Sequence, residues 1–249
     1  MEKIRILGIE IDKVSEKDAL DRAVKFLEKG KKCVIYTPNS EIIMQCQSNK
    51  NLANALKQAD LVIPDGIGLV LASRVIKKPL LERVTGIDLM ESILNYANEN
   101  NKSIFILGAQ DGISQKCAQN ILKKYPNIKV KGVHHGYFKG YHMGIENHPQ
   151  EKKVIQLINS LKPDILFVAF GAPKQEIWIQ RYKNEIDAKI FMGVGGSVDV
   201  YAGKVKRAPK IYQNLGLEWL YRLIKEPWRY KRMMALPKFV IEVIKRGEN

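Results

Sequence analysis

Short apolar runs alternate along the chain with longer segments in which apolar residues recur at helical spacing. Several runs are apolar on both faces, which is typical of strands that helices cover on each side. The predicted strands span residues 4–9, 33–37, 60–64, 103–108, 128–133, 164–170 and 189–195. This alternation predicts an α/β fold with a doubly wound, largely parallel, Rossmann-like sheet.

The helical segments carry their own start and stop signals. A first helix is predicted to follow Ser15, its N-cap, and to end at Gly30. Ser40 is the predicted cap of the next helix, and residues 85–100 and 115–125 form two more.

Polar or glycine-rich residues follow the predicted strands directly. In a parallel sheet the carboxyl ends of the strands lie along one edge, where ligands collect. The segments concerned are residues 37–39, 65–66, 108–112, 171–176 and 195–199. We expect them to converge on one rim that carries the functional site.

Composition adds a basic C-terminal segment to this picture. The chain has 249 residues, 45% of them hydrophobic, and a formal net charge of +15. Between residues 203 and 249, twelve Lys and Arg face four Asp and Glu, so this segment alone carries +8. We predict a core over residues 1–202 and a basic, helical appendage over 203–249. A nucleic acid, an acidic membrane surface or a phosphorylated substrate would suit this charge.

The cellular location is predicted from the cysteines and the hydrophobic runs. Three cysteines far apart in sequence indicate reduced core thiols, which suits the cytosol. No uninterrupted apolar run approaches the roughly 18 residues that suggest a membrane span. Any membrane contact is therefore expected to be peripheral.

Residues 217–234 combine aromatic, aliphatic and basic residues, and we predict that they are helical through Pro227. The basic residues then follow the spacing of a single helical stripe: Arg222, Lys225, Arg229 and Arg232. This pattern fits an amphipathic helix packed on the core. It also fits a helix that lies in an anionic membrane surface.

Several residues near the predicted rim point to a nucleotide-type ligand. Gly108, Gly195 and Gly196 lie at strand-to-helix turns, where backbone can approach a phosphate, although each taken alone also fits an ordinary tight turn. Tyr137 could stack on a base or pack in the core. The chain has no Asp-x-Asp pair to hold a divalent ion on a diphosphate, so positive charge must come from elsewhere. We expect neither a metal nor a cofactor.

Asp65 raises a separate question, because it stands between Pro64 and a Gly-x-Gly turn in the stretch VIPDGIGLV. Aspartate favours turns and helix caps, so a local structural role is one explanation. A functional carboxylate at the tip of a strand is the other.

Six ordered segments resemble the WecG/TagA/CpsF family of glycosyltransferases: TPNSE, ADLVIPDGIGLV, ERVTGID, FGAPKQE, GVGGSVDVYAGKVKRAP and LEWLYRLIKEPWR. The resemblance covers residues 34–232. It implies an inverting, metal-independent transfer of a sugar from a UDP-sugar donor to polyprenyl-diphosphate-linked N-acetylglucosamine. In the TagA branch the donor is UDP-N-acetylmannosamine and the product is an intermediate of wall teichoic acid.

The resemblance also assigns roles to individual residues. It makes Asp65 the general base of an inverting reaction. It places Thr37, Asn39, Arg83 and Gln175 on the sugars, with Asp88 supporting them and Asp199 on the nucleotide. Arg222, Arg229 and Arg232 would complete the site and stabilise the diphosphate leaving group.

The implied partners are the UDP-sugar, the lipid-linked acceptor and an anionic membrane, at the inner face of the cell membrane. A different UDP-sugar, carrying N-acetylmannosamine uronic acid or glucose, remains an alternative. A basic nucleic-acid-binding α/β protein is an alternative from another class, although no such motif occurs, and a binding module without catalysis is a third. The oligomeric state stays open, with a homo-oligomer as one option.

Overall fold

The central sheet is built from six parallel strands in the order β4-β3-β8-β7-β5-β6. The protein is represented by a computed structural model that describes residues 2–246, except the side chains of Arg229 and Lys231. The sheet strands are β3 Cys33–Tyr36, β4 Leu61–Val62, β5 Ser103–Gly108, β6 Lys129–His134, β7 Ile165–Ala169 and β8 Ile190–Gly193. Two further strands, β1 Lys3–Ile6 and β2 Ile9–Asp12, form a separate hairpin.

Helices cover both faces of this sheet. They are α1 Glu16–Glu28, α2 Ser40–Cys46, α3 Lys50–Lys57, α4 Ile67–Val75, α5 Gly86–Glu99, α6 Ile113–Lys124, α7 Pro149–Leu161, α8 Lys174–Tyr182, α9 Ser197–Tyr201, α10 Lys210–Asn214, α11 Glu218–Lys225, α12 Tyr230–Met233 and α13 Ala235–Arg246. Short 3-10 helices lie at Tyr141–Met143 and Pro227–Arg229.

Each central strand supplies two hydrophobic cores, one on each face. In β5, Phe105 and Leu107 join the core under α2, α3, α4, α7, α8 and α13. Ile104 and Ile106 point the other way, into the core under α1, α5, α6 and α9. Successive side chains of a strand alternate between faces, so a strand covered on both sides must be apolar throughout. The predicted doubly wound, parallel α/β fold is confirmed.

The first predicted strand, residues 4–9, is wrong in one respect. The chain reverses at Leu7 and Gly8, whose φ angles are 47° and 82°. Two consecutive residues with positive φ form the tight turn that suits an antiparallel hairpin. Strands β1 and β2 therefore pair with each other, with Ile6 opposite Ile9, and stay outside the parallel sheet.

The helix caps agree with the prediction at one position and differ at another. Ser15 caps α1 by accepting from the Asp18 N–H, and the Asp18 carboxylate accepts from the Ser15 N–H, which completes a capping box. The predicted cap Ser40 is instead the first residue of α2. Asn39 is the cap, because its Oδ1 accepts from the Ile42 N–H at 3.1 Å.

The predicted continuous helix over residues 217–234 is broken. Helix α11 ends at Lys225, and Glu226 leaves the helical conformation with φ −133° and ψ 72°. The residue before a proline is pushed out of the α region by the ring, and here that proline is Pro227. Arg222 and Arg232 therefore lie on different helices, α11 and α12, and the predicted single basic stripe does not form.

The last helix, α13, packs into the core and so belongs to the globular fold. Its Phe239 and Val243 are buried with residues of α2 and α4. Gly68 of α4 permits the close approach, since an added Cβ would lie 2.8 Å from Leu236 Cδ1. The predicted division between residues 202 and 203 remains a prediction. Within residues 2–246, every helix falls short of the length and apolarity that crossing a membrane requires.

Candidate active site

A cavity of about 310 Å³ opens at the carboxyl edge of the sheet. Its floor comes from the loops after β3, β4, β7 and β8. The C-terminal segment supplies the opposite wall through Gly216, Trp219, Arg222, Arg232 and Leu236. Part of the predicted rim thus surrounds this cavity, and the basic segment closes it.

Asp65 lies in this cavity, shortly after the end of β4, and is half-buried. Helix α4 begins at Ile67 with Gly66 as its N-cap, and no side chain caps it, so capping does not explain the carboxylate. Burial raises the pKa of Asp65 to about 6, and Glu218 adds to the increase. Arg222, the Gly86 N–H and Arg83 oppose it. A carboxylate with a pKa near neutrality is suited to accept a proton from a substrate hydroxyl.

Thr37 and Asn39 follow β3 and line the same cavity. Thr37 packs closely against the start of α5, since a Cβ on Gly86 would lie 2.9 Å from Thr37 Oγ1. The Asn39 Oδ1 atom is engaged in capping α2. Thr37 is therefore in close contact with α5, and Asn39 is hydrogen-bonded to α2.

Gln175 joins two of the loops that form the cavity floor. Its Oε1 accepts from the backbone N–H groups of Gly171 and Gly195, each at 3.1 Å. Its Nε2 donates to Glu176 Oε1 at 2.9 Å. These bonds tie the loop after β7 to the loop after β8. A direct contact with the sugar stays a prediction.

Arg83 lines the cavity and is held by the C-terminal segment. Its Nη1 lies 2.8 Å from Glu218 Oε2, and its Nη2 donates to the Gln213 carbonyl at 2.9 Å. Asp88 is absent from the residues that line the cavity in the described part of the chain. It instead forms an ion pair with Arg207, at 2.6 Å between Nη1 and Oδ1, and accepts from the Thr85 hydroxyl.

Two of the three arginines predicted in the C-terminal segment line the cavity, Arg222 from α11 and Arg232 from α12. The break at Pro227 therefore does not separate them from the site. Arg232 Nε contacts both carboxylate oxygens of Glu41, at 2.9 and 3.1 Å. The side chain of Arg229 lies outside the described residues.

The predicted nucleotide-binding residues divide into two groups. Gly195 and Gly196 line the cavity, whereas Gly108, Tyr137 and Asp199 do not do so in the described chain. Gly108 is explained by packing, because a Cβ there would lie 2.5 Å from the Ala169 backbone. Tyr137 is 65% exposed, and Asp199 forms an ion pair with Lys204.

Sequence reasoning missed Glu41 and Glu218, both of which line the cavity and bind its arginines. A signal was present, because Glu41 ends the segment TPNSE and Glu218 stands four residues before Arg222. Among residues 2–246, no group of three or more His, Cys, Asp or Glu side chains is placed to hold a metal ion.

This fold and site define an enzyme: a carboxylate with a raised pKa and several arginines share a cavity at the carboxyl edge of a parallel sheet. Residues 4–248 match the model of the glycosyl transferase WecG/TagA/CpsF family. The chain belongs to this family, and it is a glycosyltransferase.

Curated relatives carry a more specific name, N-acetylglucosaminyldiphosphoundecaprenol N-acetyl-beta-D-mannosaminyltransferase. The one from Bacillus subtilis is 37% identical over 216 residues, which cover 87% of this chain and 80% of the relative. The one from Bacillus spizizenii is 36% identical, over 88% of this chain and 82% of the relative. The one from Staphylococcus aureus strain MRSA252 is 34% identical, over 98% and 92%.

Proposed function

We propose that this protein transfers N-acetylmannosamine from UDP-N-acetylmannosamine to undecaprenyl-diphosphate-linked N-acetylglucosamine. The reaction forms a β-1,4 linkage in wall teichoic acid biosynthesis, inverts the anomeric carbon and needs no metal. The names of the relatives support the transferred sugar and the acceptor. The position of Asp65 supports the mechanism.

The observation that carries the proposal is the position of Asp65 in the cavity, together with its raised pKa. In an inverting transfer, the acceptor hydroxyl gives its proton to a carboxylate while its oxygen attacks the anomeric carbon. The bond from that carbon to the UDP oxygen breaks on the opposite face, and UDP leaves with the electron pair. Asp65 is ionised above a pH of about 6 and lies in the cavity, which suits it to take this proton.

The arginines are proposed to stabilise the negative charge that develops on the leaving diphosphate. Fixed cations aimed at charge that develops in the transition state accelerate a reaction strongly. Arg222 and Arg232 line the cavity, and Arg232 can exchange its Glu41 partner for phosphate oxygens. These cations, together with the missing Asp-x-Asp pair, support a metal-free mechanism. Arg229 is proposed for the same role from the family resemblance.

The nucleotide is proposed to run along the rim away from Asp65. Gly195 and Gly196 line the cavity and leave room for a phosphate to approach their backbone. An exposed aromatic ring such as that of Tyr137 can stack on a base. We assign the uridine to this end of the rim, with Asp199 and Tyr137 as its contacts.

A peripheral site on the inner face of the membrane follows from the acceptor, which is anchored in lipid. The C-terminal segment exposes Ile224, Trp228 and Ile244, each by more than 60%. Lysines and arginines neighbour these apolar residues in the sequence, and this combination is typical of segments that bind an anionic membrane surface.

The decisive experiment is a transfer assay with purified protein, a lipid-linked N-acetylglucosamine acceptor and a panel of UDP-sugars. UDP-N-acetylmannosamine should give a disaccharide-lipid product, and UDP-glucose and UDP-N-acetylmannosamine uronic acid should give little. A preference for either of the other donors would refute the sugar assignment. Binding to random DNA without transfer of any sugar would favour the nucleic-acid alternative.

The matched variant for this assay is Asp65→Asn, which keeps the shape of the side chain and removes the base. Transfer should fall by about 100-fold or more if general-base catalysis has its usual size. UDP binding, followed by calorimetry, should persist. Near-normal turnover in the folded variant would show that another group accepts the proton.

A further inference from the structure

Four charged side chains connect the core to the C-terminal segment, and we refer to Arg83, Glu218, Arg207 and Asp88 together as the charge bridge. Arg83 Nη1 lies 2.8 Å from Glu218 Oε2, and Arg207 Nε lies 3.5 Å from Glu218 Oε1. Arg207 also contacts both oxygens of Asp88, at 2.6 and 2.8 Å. Cations and anions alternate along the bridge.

The charge bridge crosses between two parts of the chain. Arg83 precedes α5 and Asp88 lies in its first turn, whereas Arg207 and Glu218 come from the C-terminal segment. The side chain of Glu218 is only 14% exposed, and those of the two arginines are each 18% exposed. Charge pairs that are partly shielded from water interact more strongly than pairs on the surface.

Glu218 occupies the central position, because both arginines of the bridge contact it. It lies one helical turn before Arg222 on α11, and the two side chains line the same cavity. Asp65 therefore faces charges of opposite sign from a single helix. Arg83 and the Gly86 N–H act on Asp65 from the loop before α5 and from its first residue.

We infer that Glu218 is a positioning residue for the transfer reaction: it holds Arg83 at the cavity and supplies the negative charge that balances the arginines around Asp65. This inference deepens the proposed function and rests on Asp65 as the base. No other carboxylate among the described residues both contacts Arg83 and acts on Asp65.

The expected consequence of losing this charge has a definite sign. Without Glu218, Arg83 and Arg207 lose a shared anion, and Asp65 faces mainly cations. Nearby cations stabilise the ionised form of a carboxylate and so lower its pKa. A base with a lower pKa accepts a proton less readily, and transfer slows even where the fold is intact.

The first test measures Asp65 itself, independently of any activity. Protein labelled with ¹³C at the aspartate carboxyl is titrated by NMR, and the Asp65→Asn variant identifies the resonance. Glu218→Gln should move the Asp65 titration to lower pH by about half a unit or more. The control is Glu242→Gln, which removes the ion pair of Glu242 with Arg246 on α13 and should leave the titration unchanged.

A second pair of variants separates positioning from simple docking of α11. Arg222→Gln should move the Asp65 titration upward, because it removes a cation. If α11 is still docked in Glu218→Gln, adding Arg222→Gln to that variant should raise the Asp65 titration pH by the same amount as it does in the wild type. An unchanged titration in Glu218→Gln, or an Arg222 effect that vanishes in the double variant, would overturn the inference.

The transfer assay gives the catalytic readout. In Glu218→Gln the acid limb of the kcat/KM profile should move to lower pH in parallel with the NMR titration, and the plateau should fall. An acid limb at the wild-type position, despite a shifted titration, would contradict the positioning role. If the wild-type protein transferred no sugar, the proposed function would fail, whereas the NMR result would still stand.

Discussion

At the scale of single residues, Asp65 is held in a state that costs stability. Its pKa is raised to about 6, chiefly by burial, so its ionised form is less favourable in the folded protein than in the unfolded chain. Below about pH 3 the group is protonated in both states and the penalty is absent. The penalty grows as the pH rises to about 6 and is then constant.

Asp65→Asn should therefore stabilise the protein in a pH-dependent way. At about pH 8 its free energy of unfolding should exceed that of the wild type, by at most about 3 kcal/mol. At about pH 4 the difference should be much smaller. Urea denaturation at both pH values measures it, and an equal difference at the two would contradict the raised pKa.

The sequence was sufficient to locate Asp65, because a carboxylate after an apolar strand and before a glycine turn must lie at the sheet edge. It was not sufficient to identify Glu218. Arg83, the partner of Glu218, lies 135 positions away in the chain. No local sequence pattern predicts which distant arginine or lysine a glutamate will pair with. For Gly108 the structure adds a reason for glycine that the sequence did not indicate, the close contact with the Ala169 backbone, and its role in nucleotide binding stays a prediction.

At the scale of elements, the periodicity predicted the strands of the parallel sheet and the helices α1, α2, α5 and α6. It failed where the backbone conformation of one or two residues determines the structure. The hairpin turn at Leu7 and Gly8 lacks the Asn-Gly or Asp-Gly pair that usually marks such turns. The break before Pro227 interrupts a helix whose apolar and basic pattern continues on both sides. Pattern alone cannot place either feature, because side-chain periodicity does not report backbone reversal.

Helix α11 provides an element-scale test of the arginine role. Arg222→Ala should lower transfer steeply, because a cation inside the cavity acts on the reacting groups and not on lipid. Binding to vesicles of phosphatidylglycerol and phosphatidylcholine, measured by co-sedimentation, should change little. If transfer and vesicle binding fell in equal proportion, α11 would be an anchor and the leaving-group role would belong elsewhere.

Helix α13 offers a test of how far the core extends. Phe239 is fully buried against α2 and α4, so Phe239→Ala should destabilise the protein by about 3–5 kcal/mol. Ile241→Ala on the same helix is the control, because that side chain is 51% exposed and should have an effect within about 0.5 kcal/mol. Equal effects in urea denaturation would show that α13 is not docked in solution.

At the scale of the whole molecule, positive charge replaces a metal in the proposed chemistry. The net charge is +15, and at least three arginines lie around the cavity: Arg83, Arg222 and Arg232. Transfer should therefore be unchanged, within about twofold, after dialysis against EDTA. A loss of activity that added magnesium or manganese restores would show that the leaving group depends on a metal ion.

The strand order also has a consequence for how the chain is made. Strand β8 is the last in sequence, yet it lies between β3 and β7 at the middle of the sheet. Until β8 leaves the ribosome, β3 and β7 lack the strand that pairs with both of them, and each has an unpaired edge. Unpaired edges invite association with other chains. The nascent protein is therefore most exposed to aggregation, and most in need of a chaperone, just before Ile190–Gly193 emerges.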